Sequence, residues 1–154
     1  FRRVLFRSKT TYNTIPYKFE AGTPNIADIV SLKAAFDFIN QYSKSALAAH
    51  EADLLKYATE RIREIPGVRL YGTAKEKVSV LSFVISGMHH FDVGQLLDAR
   101  GIAVRTGHHC TQPLMERFGI EGTVRASFAA YNTIEEIDRF IAAVDRVAQT
   151  GKAR

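Results

Sequence analysis

The stretch Gly101-Ile-Ala-Val-Arg-Thr-Gly-His-His-Cys-Thr-Gln-Pro113 holds the single cysteine of the chain, Cys110, with Arg105, His108 and His109 just before it. A thiolate is a strong nucleophile, and a neighbouring guanidinium or imidazolium lowers the cost of forming one. The order of residues predicts a loop at a strand end: Ile102 to Val104 read as a short buried strand, and the chain turns through Arg105, Thr106 and Gly107 into the cysteine. Two other readings stay open. A lone Cys is often a small buried hydrophobe, although polar neighbours and the flanking Gly107 and Pro113 mark a loop here. His-His-Cys also offers zinc-ligand types, but adjacent ligands seldom reach one ion, and no C-x-x-C or H-x-x-x-H partner stands elsewhere. No metal site is expected.

Two further residues carry possible chemistry. Arg125, in Val124-Arg-Ala-Ser-Phe128, either faces solvent or reaches a buried anion. Thr23 belongs to Gly22-Thr-Pro-Asn25, a helix-start pattern in which Thr or Asn can cap and Pro24 suits the first turn. The free N–H groups of such a start bind water or hold a phosphate.

The elements that must position these residues follow from hydrophobic spacing. Ile29, Leu32, Phe36 and Ile39 give a first helix one apolar stripe. A second helix is expected from about Ser45 to Ile65, with Leu47, Leu54, Ala58, Ile62 and Ile65 inward and Pro66-Gly67 closing it. Val68 to Tyr71 reads as a strand, and the near-continuous apolar run Val78 to Ile85 as a longer one covered on both faces. His89 and His90 are expected in an exposed loop before a helix capped by Asp92 and Gln95. Pro113 to Phe118 predicts a short helix stopped by Gly119. Val124 to Phe128 returns as a strand, and Thr133 with Glu136 forms a capping box for a last helix burying Ile134, Ile137, Ile141 and Val144. Helices and strands interleave without a βαβ period, so the expected class is α+β, with helices packed on a small, mainly antiparallel sheet.

At 154 residues and 46% hydrophobic content the chain can bury one ordinary core. No apolar run is long enough to span a membrane. Residues 1–8, Phe-Arg-Arg-Val-Leu-Phe-Arg-Ser, match an in-frame translation of a sequencing adapter and are expected to be a non-native scar. The formal charge of +5 falls to +2 without their three arginines, 18 basic residues against 16 acidic. With no basic stripe and no Trp, neither a nucleic-acid partner nor a membrane is expected.

Several blocks, in order, resemble the pyridoxal-phosphate-dependent cysteine desulfurases of the SUF type, within the class V aminotransferases. They are Phe19-Glu-Ala-Gly-Thr-Pro-Asn25, Asp92-Val-Gly94, Gly101 to Cys110, Gln112-Pro113, Arg125-Ala-Ser127 and Tyr131-Asn-Thr133. The resemblance implies the small C-terminal domain of a fold type I enzyme over residues 26–150, with residues 9–25 a boundary segment from a missing cofactor-binding large domain. It implies removal of sulfur from L-cysteine, or from the selenium analogue L-selenocysteine, to give alanine and a persulfide on Cys110 for iron–sulfur cluster assembly. Cys110 is similar to the family's nucleophile, Arg125 to the arginine pairing with the substrate carboxylate, and Arg105 to a second active-site cation. Thr23 resembles the residue bonding the cofactor phosphate across a homodimer interface. A sulfur-acceptor protein is also implied; a cytoplasmic setting is expected from the single Cys and from the lack of a membrane-length apolar run. No lysine here has the family's Schiff-base context, so the chain is expected to be inactive alone. The alternative is a stand-alone, non-catalytic persulfide carrier.

Overall fold

The computed structural model describes residues 11–152, so the expected scar over residues 1–8 lies outside the described residues. The chain divides into two compact units, one ending at Tyr42 and one starting at Ser43. The first carries a single 3-10 turn, Tyr17–Phe19, and helix α1, Ile26–Ile39. Asn25 is its cap, accepting the amide of Asp28 at 3.4 Å, and Pro24 precedes the cap instead of filling the first turn. The expected buried stripe is not buried: Ile29, Leu32, Phe36 and Ile39 are exposed, as are Ile26, Val30 and Phe38. Apolar residues ring this helix, so spacing alone does not select one inward face.

The second unit has the α+β architecture. Helix α2, Lys44–Arg63, starts at Ser43, whose hydroxyl accepts the Ala46 amide, and buries Leu54, Leu55, Ala58 and Ile62. Strands β1, Val68–Tyr71, and β2, Val80–Ile85, follow, then α3, His90–Asp98. Strand β3, Arg105–Gly107, helix α4, Gln112–Phe118, strand β4, Thr123–Ser127, and helix α5, Ile134–Lys152, complete the unit. The sheet is antiparallel throughout, in the order β1-β2-β4-β3.

Period-two alternation divides the sheet into two faces. Leu81, Phe83 and Ile85 of β2 and Val124 and Ala126 of β4 point into a core closed by α2, α3 and α5. Helix α5 supplies Ile137, Phe140, Ile141, Val144 and Val147 at three- and four-residue spacing. Its capping box is present: the Glu136 amide donates to the Thr133 hydroxyl at 3.3 Å, and the Thr133 amide to the Glu136 carboxylate at 2.9 Å. Ile134, expected in the buried stripe, lies at the helix start and is exposed.

Three further expectations change. Strand β2 alternates buried and half-buried residues, so the second unit covers one of its faces fully and the other in part. The short strand is Arg105–Gly107 and not Ile102–Val104, because β3 must reach β4, where Arg105, Thr106 and Gly107 pair with Arg125, Val124 and Thr123. Helix α3 begins before Asp92, with the His89 ring accepting the Phe91 amide at 3.3 Å. Gly94 sets how closely α3 approaches β3: a Cβ there would lie 2.5 Å from the Thr106 methyl.

Candidate functional site

The site is built on the face of the sheet opposite the core. Strand β4 turns Val124 and Ala126 inward, and the alternation therefore turns Thr123 and Arg125 outward. Ser82 on β2 and Arg105 on β3 stand directly opposite Arg125 on its two sides. Two arginines paired across adjacent strands repel each other unless an anion lies between them. Arg105 is exposed and Arg125 half-buried, with its Nε buried and unpartnered. Helix α4 shelters part of this face, its Phe118 ring 5.2 Å from that of Tyr71.

Between β3 and α4 the chain makes the turn that holds Cys110. His109 and Cys110 adopt φ of 54° and 60°, left-handed values that cost a non-glycine residue about 1–2 kcal/mol each. Local bonds hold the turn. The Cys110 amide donates to Nδ1 of His108 at 3.0 Å, and the Thr111 amide and hydroxyl both donate to the His108 carbonyl, at 2.9 and 2.7 Å. The thiol is free and exposed.

Both imidazoles beside the thiol are engaged in hydrogen bonds. Nδ1 of His108 offers its lone pair to the Cys110 amide. Burial, and then the Arg125 guanidinium, hold His109 below the usual histidine range; a bond to the Thr123 backbone opposes them. The hydrogen bonds of both histidines thus help to shape the turn.

His109 and Thr111, the residues on either side of Cys110, line a cavity of about 330 Å³ with Tyr71, Ser82, Met115, Thr123 and Arg125. A larger groove of about 660 Å³ beside Met88, Leu96 and Gly151 has Asp92 as its sole charged lining residue. The first of these two is lined by the ionisable side chains of Tyr71, His109 and Arg125. Arg125 lines the first cavity and faces Arg105 across β3 and β4, Cys110 stands on the turn that follows β3, and Thr23 belongs to the first unit, exposed two residues before the α1 cap. Among the described residues no group of three or more His, Cys, Asp or Glu side chains is placed to hold a metal ion. No described helix is long and apolar enough to cross a membrane.

His89 and His90 are not the plain loop residues expected from Ser86-Gly-Met-His-His. His89 is exposed but caps α3 and reaches Glu121 at 3.2 Å, and its ring lies 4.1 Å from that of His90. His90 is half-buried, held below the usual histidine range by burial and then by His89. It packs so closely on Gly122 that a Cβ there would come within 2.7 Å of the ring. The adjacency His-His followed by Asp92 in a helix start was the available signal; the partner, Glu121, is far away in sequence.

This geometry has clear relatives. A profile of the class V aminotransferases matches residues 1–140, and the chain belongs to that family. A probable cysteine desulfurase of Mycolicibacterium paratuberculosis is 55% identical over 93% of this chain and 21% of its own length. The apo structure of a cysteine desulfurase from Thermococcus onnurineus is 39% identical, with a TM-score of 0.82, over 88% of this chain and 34% of that one. An Escherichia coli cysteine desulfurase, crystallised as an S-sulfonic acid, is 38% identical with a TM-score of 0.80, over 88% and 33%. The chain thus spans about a fifth to a third of the proteins it matches.

Proposed function

We propose that this chain is the C-terminal portion of a SUF-type cysteine desulfurase and supplies the nucleophile Cys110 and the substrate clamp of Arg125 and Arg105. The observation that carries this reading is the juxtaposition of two arginines facing each other across β3 and β4 with an exposed thiol on a strained turn five residues beyond Arg105. Pyridoxal phosphate fits this chain in part. Arginines suit the carboxylate of a cofactor-bound amino acid, but no lysine lines the cavity, so covalent anchorage falls to the remainder of the enzyme. When bound, the cofactor supplies the electron sink that weakens the substrate C–S bond.

Within that frame Arg125, with its planar fork of donors, holds the carboxylate of L-cysteine, and Arg105 adds a second positive charge. The Cys110 thiolate attacks the substrate sulfur. An S–S bond forms, the C–S bond breaks, and its electron pair passes to the carbon, which takes a proton to become alanine. The persulfide remains on an exposed cysteine, where a sulfur-acceptor protein of iron–sulfur cluster assembly can reach it. In the complete enzyme Thr23 would hold the cofactor phosphate across a homodimer interface; residues 9–25 join the two domains, residues 1–8 are foreign, and the setting is the cytoplasm. Selenocysteine is a second substrate of the same chemistry.

The test is alanine release from L-cysteine, by the chain alone with added cofactor and by the chain joined to the cofactor-binding part of a relative. The joined protein is expected to release alanine and the isolated chain none. Arg125→Ala in the joined protein should weaken cysteine binding by about 1.5–3 kcal/mol, a tenfold to hundredfold rise in KM. A joined, folded protein that releases no alanine would leave the persulfide-carrier reading in its place.

A further inference from the structure

Three side-chain atoms are buried without a hydrogen-bond partner among the described residues: Nδ1 of His109, Nε of Arg125 and Nδ1 of His90. Such an atom has given up its hydration with nothing in exchange, so each asks for a partner. Two of the three are complementary. Nε2 of His109 lies 3.2 Å from the Thr123 carbonyl oxygen and 3.0 Å from its hydroxyl. A carbonyl only accepts, so the ring proton sits on Nε2 and Nδ1 keeps its lone pair. Nε of Arg125 carries a proton and lacks an acceptor. Both side chains line the same cavity as Thr123.

We propose that His109 is a positioning residue for Arg125, accepting the Arg125 Nε–H at its Nδ1 so that the two terminal nitrogens of the guanidinium face the cavity as a fork for a carboxylate. The pairing needs a side-chain adjustment, since no such bond is present in the arrangement described. Thr123 sets the tautomer that makes it possible. The inference deepens the desulfurase reading and rests on it for the identity of the carboxylate, that of an α-amino acid. A guanidinium tied at Nε loses its freedom to swing, and bidentate geometry depends on the plane of the fork. The surroundings of the ring favour its neutral, accepting form: the ionisable groups acting on it are Arg125 on β4, Arg105 on β3 and His90 on α3, with no carboxylate among them.

The pairing is measurable by nitrogen-15 NMR on the chain itself, without turnover. At neutral pH His109 should carry its proton on Nε2, and the Arg125 Nε–H should exchange with solvent about tenfold or more slowly than that of the exposed Arg146. As pH falls through the titration of His109, Nδ1 gains a proton and the protection of Arg125 should vanish on the same curve. His109→Phe should remove the protection, and His109→Gln should restore part of it. A proton found on Nδ1 at neutral pH, or an Arg125 Nε–H indifferent to acid, overturns the proposal even if His109→Phe does not fold. Alanine release does not enter these readouts, so a failure of the desulfurase reading is separable from a failure of this pairing.

Discussion

The two faces of the sheet are made from alternate residues of the same strands and have opposite demands. On one face Phe83, Val124 and Ala126 are sealed under α2, α3 and α5. On the other, Ser82, Thr123 and Arg125 border a cavity partly sheltered by α4. The core face is stabilised by apolar burial, which is non-directional and tolerates no missing volume. The open face gathers like charges, unpartnered polar atoms and left-handed backbone, each of which costs stability. Stability and chemistry are thus segregated by the pleat, one residue apart.

That contrast can be broken from either side. The largest effect is expected from Phe83→Ala, which empties a fully buried site in contact with Phe140 and should cost about 3–5 kcal/mol in a denaturant titration. Gly94→Ala comes next. Its Cβ meets the Thr106 methyl, so the Thr106 side chain, α3 or β3 must shift, at about 1–3 kcal/mol. Thr133→Ala removes the α5 cap and should cost about 1 kcal/mol. Smallest for stability is Arg125→Ala: with a like charge opposite, it should move the unfolding free energy by no more than about 0.5 kcal/mol while weakening ligand binding. A large loss of stability there would show that the open face is structural.

The acid response sharpens the same comparison. His109 has its titration lowered in the folded chain, so the unfolded chain binds the proton first. Its contribution to stability is full above the ordinary histidine value of about 6.5 and is lost as pH falls through that value toward the lowered one. His109→Phe should flatten this part of a stability-against-pH curve.

Much of the second unit was legible because local signals and burial agree there. The stripe Ile137, Ile141 and Val144, the Thr133–Glu136 capping box and the strand Val68–Tyr71 all appear. Helix α1 shows the limit: the same three- and four-residue spacing picks out Ile29, Leu32, Phe36 and Ile39, yet these residues are exposed, because periodicity says which residues favour burial and not what covers them. The site was read from residue types around Cys110, but its geometry was not. That Arg105 and Arg125 face each other is a matter of register between strands far apart in sequence, and that His109 turns to Thr123 depends on a left-handed turn that no pattern announced.

The measurement that bears most directly on the account is the mass of the Cys110 peptide after the chain, joined to the cofactor-binding part of a relative, has turned over L-cysteine. One added sulfur on Cys110, absent in the unreacted protein, with alanine release lost in Cys110→Ala, is the expected result. Alanine release that persists in Cys110→Ala, with no sulfur gained on Cys110 in the unmodified protein, would contradict the assignment of this thiol as the nucleophile.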